Sequence, residues 1–352
     1  MTNEAMKKVL IKACIFSVVS IALMFHRAAT KHIVITDAAD VSIDREKTEE
    51  SYNLLLDRNV SSKQSGKLII PIPKSVGSDH IAVEDNYTEH ELLVYVDCDE
   101  RFYKDNAVKT NLGIIENAVC LTEGDNGTIC LAFALDGLYA NESKLTEAGN
   151  LEIAFLKPYE KYDRIVLVDP IGGGADIGIK ADMLSEKNLA LDVARELKNL
   201  ADKDENNNIR FYCTRLSDTD VDYAKRYAFL EETGADMIIG IGAYAGENVA
   251  NLGVQTTYND SYFIRALNNA ELADILERNC VDRSGANAIG MEPASETDEL
   301  LMNSTIPSCR VLVGNLYSRE DEQYLSDKAY ITKIASGIYA GVTEAFDKLE
   351  EK

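Results

Sequence analysis

Apolar residues in the middle of the chain come in short runs separated by turns. Between residues 66 and 160 the runs include KLIIPI, LLVYVD, TICLAFAL and LEIAFL, with Asn, Asp, Gly and Ser between them. Short, regularly spaced runs of this kind are typical of an antiparallel β-sandwich. We therefore predict a small β-sandwich domain over 66–160, with a hinge in the segment PYEKYD at 158–163.

From Arg164 the pattern changes to strands that alternate with amphipathic helices. RIVLVD, IRFYCTR, DMIIGIG, GVQTTY and CRVLVG have the apolar content of buried strands. Helical spacing is found at 186–200, 221–232, 261–279 and the C-terminal end. Ser185 is the predicted N-cap of the first of these helices. This alternation predicts an α/β domain over 161–352, a sheet covered by helices on both faces, with functional residues at strand ends.

The N-terminus has the pattern of an export signal. Lys7, Lys8 and Lys12 accompany an apolar segment that runs to Phe25, and no small-x-small cleavage site follows. The segment is short for a membrane span and has the length of a signal-peptide core. We expect an uncleaved signal anchor over 1–30 with its basic end cytoplasmic. A cleaved signal and a buried core helix are the alternatives, and either form of signal exports the rest of the chain.

A polar stalk is expected between the anchor and the sandwich. Residues 31–65 are polar and charged, and the stretch DREKTEESYNLLLDR within them fits one short helix. The expected location is therefore the bacterial cell membrane, with a single N-terminal anchor and extracellular domains. The protein is secreted if the signal is cleaved.

Charge excludes several classes of partner. The chain of 352 residues is long enough for two domains, and its formal net charge is −23. Phosphate backbones and anionic lipid surfaces require clustered Lys and Arg. We therefore expect no binding of nucleic acid and no docking on lipid through a basic face.

The cysteines show no metal or redox motif. Seven are present, none of them in a C-x-x-C pair, and Cys14 lies in the apolar N-terminal segment. The others are Cys98, Cys120, Cys130, Cys213, Cys280 and Cys309. Most lie in apolar runs and are expected to act as small buried hydrophobic residues. Their spacing leaves a disulfide open.

A glycine run follows the first strand of the α/β domain. RIVLVDPIGGGADIG at 164–178 does not fit a P-loop, because Gly178 is followed by Ile179 before Lys180. It does not fit a dinucleotide loop either, since the third glycine is one residue too far and no helix follows directly. No nucleotide is expected at this loop.

Carboxylates cluster near the same strand end. Asp169, Asp176, Asp182 and Glu186 would suit Ca²⁺ or Mg²⁺, or they shape the loop and start a helix, where negative charge is favourable. The last histidine of the chain is His90. The α/β domain therefore has no Ser-His or Cys-His nucleophile.

Ordered motifs over 164–348 carry a resemblance to a known family. They are DPIGGGADIG, LSEKNLALDVARELKNL, FYCTRLSDTD, an arginine helix with Arg226, TGADMIIGIGAY, GVQTTY, IPSCRVLVGNLYSREDEQYL and AYITKIASGIYAGV. This region resembles the zinc-dependent N-acetylmuramoyl-L-alanine amidases, which cut peptidoglycan, and it is identified as a degenerate member of that family.

The resemblance assigns four functional positions. The first zinc-binding His of the family falls on Gly172, the second ligand on Glu186, the third on Gly242, and the catalytic Glu on Leu312. A hydrolytic zinc site takes three protein ligands and leaves one position for water. We expect no zinc, no other cofactor and no catalytic residue here, and a small groove where the histidine bulk is missing. The expected groove lining is Asp169, Gly172, Gly173, Asp176, Glu186, Gly242, Tyr244 and Leu312.

The resemblance implies a cell-envelope role, and three functions stay open. The first is a pseudoenzyme that binds peptidoglycan or a cell-envelope protein such as an active amidase. The second is an active peptidoglycan amidase with a relocated or atypical metal site, and the third is a structural partner without wall affinity. The sandwich is similar in position to wall-targeting modules of amidases. Its tyrosines Tyr87, Tyr95 and Tyr103 either stack on sugars or pack in the sheets.

Overall fold

The chain forms two compact units, Met1–Leu156 and Lys157–Lys352. The computed structural model describes residues 33, 35–37, 50–62, 64–122, 128–204, 208–246, 253–261 and 266–350. The predicted anchor over 1–30 lies outside these residues. Within them, no helix has the length and apolar character needed to cross a membrane.

The first unit consists mainly of strands. They are β1 (Ile35–Asp37), β2 (Glu50–Asn53), β3 (Leu56–Asp57), β4 (Lys67–Pro71), β5 (Ile81–Asn86), β6 (Glu91–Asp97), β7 (Val108–Lys109), β8 (Ile115–Thr122), β9 (Thr128–Leu135), β10 (Ala140–Leu145) and β11 (Asn150–Leu156). One short helix, α1 (Arg101–Asp105), and the 3₁₀ turns Ser78–His80 and Tyr87–Glu89 connect them.

These strands form two sheets that share one core. One sheet has the order β1-β5-β6-β9-β8-β2 and the other β10-β11-β4-β7-β3. Alternate residues of each strand face inward, so Leu68 and Ile153 from the smaller sheet join Leu92, Val94 and Phe133 from the larger sheet in a single buried cluster. Most neighbouring strands are antiparallel, whereas β1–β5 and β3–β7 are parallel.

The prediction of a helix in a polar stalk is wrong for the described part of 31–65. β1 pairs with β5, β2 with β8 and β3 with β7. Tyr52, Leu54 and Leu56 repeat at every second position, as apolar residues of a strand do, and all pack on the core. Charged residues around them in the sequence make this repeat hard to recognise. These residues therefore belong to the β unit, and the boundary to the second unit falls at Leu156, just before the predicted end at 160.

Two of the candidate sugar-stacking tyrosines are buried. Tyr87 and Tyr103 are 1% and 0% exposed, and the Tyr103 hydroxyl donates to the carbonyl of Pro71 at 2.9 Å. Tyr95 is half-buried and packs on a second apolar cluster, which includes Leu93 and Leu121. Packing, rather than sugar stacking, is thus the role of Tyr87 and Tyr103.

The cysteines of the described residues are free thiols. Cys120, Cys130, Cys213, Cys280 and Cys309 are buried, which confirms their interpretation as small hydrophobic residues, and Cys98 is half-buried. Burial raises the pKa of Cys98 to about 11, so its thiol is protonated at neutral pH.

The second unit alternates helices and strands. In order they are α2 (Pro158–Lys161), β12 (Arg164–Pro170), α3 (Glu186–Lys203), β13 (Ile209–Cys213), α4 (Tyr223–Thr233), β14 (Met237–Tyr244), β15 (Gly253–Tyr258), α5 (Asn269–Ser284), β16 (Asn287–Pro293), α6 (Glu299–Asn303), β17 (Ser308–Asn315), α7 (Arg319–Leu325) and α8 (Lys328–Glu350).

The strands of this unit form one mixed sheet. Its order is β13-β12-β14-β17-β15-β16, parallel except where β15 meets β17. Helices flank the sheet, as predicted for an α/β domain. The parallel strands β12, β14 and β17 end at the same edge, which places the residues after Pro170 beside Gly242 and Leu312.

One helix start agrees with prediction and one differs. Ser185 is the N-cap of α3, as predicted, although its side chain makes no capping hydrogen bond. The helix predicted over 261–279 begins only at Asn269, because Asn268 and Glu271 form a capping box there. The stronger start signal thus lies eight residues further along the chain than the predicted one.

Gly337→Ala is expected to destabilise the fold although alanine favours helices. A Cβ at Gly337 of α8 would lie 2.6 Å from Cys280 Cα of α5, so the two backbones would have to separate. We expect a net loss of about 1 kcal/mol in the free energy of unfolding, since overpacking costs about 1–3 kcal/mol and helix propensity returns about 1 kcal/mol. Urea denaturation measures it. Lys333→Ala on the exposed side of α8 is the control, and equal stability of both variants would contradict this packing.

Candidate functional site

A cavity lies at the carboxyl ends of the central strands. Its volume is about 570 Å³, and Gly172, Glu186 and Leu312 line it. Gly242 adjoins it, because a Cβ there would lie 3.0 Å from Glu186 Oε1 and 3.3 Å from Leu312 Cδ2. The structure thus brings the four positions assigned by resemblance together.

Three residues of the predicted lining do not line the cavity. Asp169 and Asp176 line it, whereas Gly173 and Tyr244 do not and Gly242 only adjoins it. Gly173 faces away, since a Cβ on it would lie 2.2 Å from the carbonyl oxygen of Thr219. Tyr244 is half-buried at the end of β14, and burial raises its pKa to about 12.

The missing bulk at Gly242 does not leave a groove. Besides Glu186 and Leu312, Ile171 Cγ2 would lie 3.4 Å from a Cβ at Gly242. The apolar ends of Leu312 and Ile171 therefore fill the space beside this glycine. The expected groove corresponds to the cavity beside Gly172, Glu186 and Leu312, while side chains from two neighbouring strand ends occupy the space next to Gly242 itself.

The glycine loop after β12 requires its glycines. Gly172, Gly173, Gly174 and Gly178 all have positive φ, and Gly172 has φ of 69°. A Cβ at Gly172 would also lie 2.7 Å from the carbonyl oxygen of Asp176. This loop conformation is strained for any other residue.

A buried arginine stabilises the glycine loop through hydrogen bonds to backbone carbonyls. Arg215 is 1% exposed, and it donates to the carbonyls of Pro170, Ile171 and Lys187 at 3.2, 2.9 and 2.8 Å. Burial lowers the pKa of Arg215 to about 10, so the guanidinium stays charged at neutral pH. These carbonyls supply the hydrogen bonds that a buried cation needs.

Two carboxylates after β13 hold the other side of the loop. Asp218 accepts hydrogen bonds from the backbone N–H of Gly174 at 2.8 Å and from Lys187 Nζ at 2.7 Å. Asp220 accepts from the backbone N–H of Ala175 at 2.8 Å. The FYCTRLSDTD motif thus supplies both the cation and the carboxylates that fix the loop.

Glu186 is the one family ligand position that keeps its residue, and its carboxylate is occupied. The residue is 5% exposed. Oε2 accepts a hydrogen bond from the backbone N–H of Ile179, and Oε1 accepts one from that of Ala243, both at 2.9 Å. Glu186 therefore connects the glycine loop to the end of β14.

The residues at the family positions do not fit a zinc ion. Gly172 and Gly242 offer no donor side chain, and both oxygens of Glu186 are engaged by backbone amides. Across the described ranges, no cluster of three or more His, Cys, Asp or Glu side chains is placed to hold a metal. Zinc sites in proteins require such a set.

The carboxylates considered for Ca²⁺ or Mg²⁺ have separate partners. Asp182 is 79% exposed and pairs with Arg319 at 3.4 Å. Asp176 accepts from the backbone N–H of Gly178 at 3.1 Å, and Asp169 is buried among cations. The loop-shaping interpretation fits Asp176, while Asp182 lies outside the cavity lining.

Asp169 is the centre of a buried charge network. Its Oδ1 pairs with Arg226 Nη1 and accepts a hydrogen bond from Thr214 Oγ1 at 2.8 Å, and its Oδ2 lies 3.5 Å from Arg310 Nη2. Burial by itself raises the pKa of Asp169, but the two guanidinium charges outweigh burial and hold the pKa below its ordinary value. Arg226 also donates to the carbonyl of Gly172 at 3.0 Å.

Arg310 was not predicted as a site residue. It interrupts the apolar run CRVLVG, and this interruption is the signal that was available in the sequence. Its Nε and Nη2 donate to Asp298 at 2.8 and 3.1 Å. Burial lowers the pKa of Arg310, but Asp298 and Asp169 outweigh burial and raise it.

The fold and the geometry at the strand ends define an amidase-like α/β domain. Residues 166–344 match the family model described as N-acetylmuramoyl-L-alanine amidase. The chain belongs to this family.

Two relatives by sequence are themselves named N-acetylmuramoyl-L-alanine amidases. The chain is 27% identical over 190 residues to N-acetylmuramoyl-L-alanine amidase CwlM of Bacillus licheniformis. The aligned region covers 52% of this chain and 68% of that protein. The chain is 26% identical over 199 residues to the germination-specific N-acetylmuramoyl-L-alanine amidase of Bacillus subtilis (strain 168), with 52% and 80% covered. A solved N-acetylmuramoyl-L-alanine amidase from Clostridium difficile 630 is 26% identical with a TM-score of 0.47, covering 52% and 97%.

Asp169→Asn is expected to reduce the acid sensitivity of the fold. Because the pKa of the folded state lies below the ordinary value of 3.8, the ionised carboxylate stabilises the fold above that pH and this contribution is lost as the pH falls through the folded pKa. The variant should be less stable at about pH 6, by about 3 kcal/mol, and lose less stability between about pH 5 and about pH 2.

Urea midpoints across this pH range measure the effect. Asp182→Asn removes an exposed carboxylate and should follow the wild-type profile, since an exposed pair contributes little. Equal acid sensitivity of Asp169→Asn and the wild type would show that the buried network does not set the acid response.

Proposed function

We propose that this amidase-family protein has lost zinc and catalysis and acts at the bacterial cell envelope as a binding pseudoenzyme. Its ligand would be peptidoglycan or a cell-envelope protein. The observation that carries the proposal is the donor set at the family positions: Gly172 and Gly242 have no ligand side chain, and only Glu186, which accepts hydrogen bonds from two backbone amides, keeps its residue. One carboxylate does not make up the three protein ligands that a hydrolytic zinc site takes.

The chemistry at the other positions supports the same conclusion. Glycine at 172 and 242 supplies no ligand atom, and zinc hydrolases need three protein ligands. Leucine at 312 has no group that takes a proton from water or gives one to a leaving amine. Hydrolysis of the bond between N-acetylmuramic acid and L-alanine would lack both the metal and the proton carrier.

Binding is supported by what the site retains. The loop after β12 is fixed by Arg215, Asp218 and Asp220, so the cavity has ordered walls. Its volume of about 570 Å³ lies in the range of small-ligand pockets. Ser295 and Thr297 on one wall offer hydroxyls for hydrogen bonds to a polar ligand.

The remaining units fit a surface role. The two sheets of the first unit share one core, and we assign it as the β-sandwich expected from the sequence. The N-terminal segment would anchor the protein in the cell membrane or export it, so that both units lie outside the cell. A structural partner without wall affinity is the competing role.

Metal analysis and wall assays on the purified extracellular part test the proposal. We expect less than stoichiometric zinc, no release of stem peptide from peptidoglycan, and retention on purified sacculi. Stoichiometric zinc together with free stem peptide would show an active amidase with an atypical site. Absence of retention would favour the structural partner.

A cavity variant links retention to the site. Thr297→Trp places an indole in the cavity opening and should lower retention, because Thr297 lines the cavity and is exposed. Glu296→Trp is the matched control, since Glu296 is also exposed but does not line the cavity. Equal retention of both variants would place wall binding elsewhere on the protein.

Restoring the family residues is expected to fail as a route to zinc binding. In the triple variant Gly172→His, Gly242→His, Leu312→Glu, position 172 forces a side chain onto a left-handed backbone and against the carbonyl of Asp176. We expect a stability loss of about 3 kcal/mol or more and no stoichiometric zinc by elemental analysis.

A glycine outside the site separates the cost of the left-handed backbone from the cost of the clash with the Asp176 carbonyl. Gly66 also has positive φ, 79°, but a Cβ there meets nothing within 4 Å. Gly66→His should therefore cost only the backbone strain, about 1–3 kcal/mol, and less than Gly172→His alone. A stable triple variant that binds zinc would contradict the view that the loop excludes the metal site.

A further inference from the structure

A buried arginine stands next to the family metal positions. Across three adjacent strands, Asp169 is in register with Gly240, and Gly240 with Arg310. Two residues further along the same strands, Gly242 is in register with Leu312. Residues two apart in a strand point to the same face of the sheet. Arg310 therefore lies on the same face as Leu312, two residues before it in β17.

Gly240 makes room for this side chain. A Cβ at Gly240 would lie 3.0 Å from each of Cγ, Cζ and Nη1 of Arg310. The side chain therefore crosses directly over the backbone of β14 toward β12. There Nη2 lies 3.5 Å from Asp169 Oδ2.

The guanidinium joins two carboxylates that belong to different parts of the site. Asp169 ends β12, whereas Asp298 lies in the segment before α6 and receives Nε and Nη2 of Arg310 at 2.8 and 3.1 Å. Asp298 lines the cavity together with Ser295 of this segment and Leu300 of α6. The arginine thus ties a cavity wall to the sheet.

Charge compensation explains the arrangement better than hydrogen bonding does. Asp169 is 2% and Arg310 6% exposed, and Nη1 of Arg310 has no hydrogen-bond partner among the described residues. Asp169 also pairs with Arg226, whereas the half-buried carboxylate of Asp298 has its ion pair with Arg310, and a nearby cation favours the ionised form of a carboxylate. A guanidinium supplies that charge permanently.

We infer that Arg310 is a resident cation beside the family metal positions, and that its ion pairs with Asp169 and Asp298 hold the cavity wall in place. The inference rests on the proposed loss of zinc. It makes Arg310 a positioning residue, because it fixes the wall rather than reacting with a ligand.

Removal of the guanidinium should create a dependence on divalent cations. Thermal unfolding of the full chain would be measured with a chelator and with about 5 mM Ca²⁺ or Mg²⁺, which prefer carboxylate oxygens. In chelator we expect Arg310→Met to unfold roughly 10 °C below the wild type. Added cation should raise its midpoint by about 3 °C or more.

Three controls make this response specific. The wild type and Arg310→Lys keep a resident cation and should show no cation-dependent shift. Arg278→Met removes an exposed arginine paired with Glu344 at 2.8 Å and should also show none. A midpoint of Arg310→Met equal to the wild type, or an equal cation shift in Arg278→Met, would overturn the inference.

A second variant covers the case in which Arg310→Met does not fold. Arg310→Met/Asp298→Asn removes one of the two carboxylates, so less negative charge is left uncompensated, and it should unfold at a higher temperature than Arg310→Met or recover soluble protein. No gain from Asp298→Asn would overturn the inference. Zinc bound to the wild type would instead contradict the proposed function, so the two failures are distinguishable.

Discussion

The carboxyl edge of the sheet in the second unit depends on the ion pairs and hydrogen bond of the buried carboxylate of Asp169. This residue ends β12, accepts a hydrogen bond from Thr214 just after β13, and pairs with Arg226 of α4 and Arg310 of β17. Loss of one partner of a buried ion pair is strongly destabilising, so these elements are stable only as a set. Because Arg226 also binds the carbonyl of Gly172, the same network fixes the start of the glycine loop.

Hydrogen bonding of the buried polar groups accounts for the rest of the site. A family position that offers a metal ligand in a zinc enzyme must satisfy its buried oxygens in another way when no metal is bound. Glu186 does so with the amides of Ile179 and Ala243, while Leu312 and Ile171 fill the space beside Gly242. The loop, the helix start and the strand end are thereby joined by hydrogen bonds and packing.

Local periodicity predicts the elements of the second unit well, because its strands and helices carry strong apolar patterns, and the helix expected at 186–200 is α3, Glu186–Lys203. It fails in the first unit where Tyr52 and Leu54 alternate inside a charged segment. Resemblance located the glycines of the site. The pairing of Arg310 with Asp298 was not predictable, since spacing along the chain does not show which carboxylate a strand arginine reaches in a mixed sheet.

The family positions Gly172, Gly242 and Glu186 are held by different constraints. At Gly172 the constraint is the left-handed backbone, with φ of 69° and the Asp176 carbonyl alongside. At Gly242 it is close packing, and at Glu186 it is the pair of amides that would lose their acceptor. Since each constraint involves different neighbours, a substitution at one of these positions leaves the constraints at the other two in place.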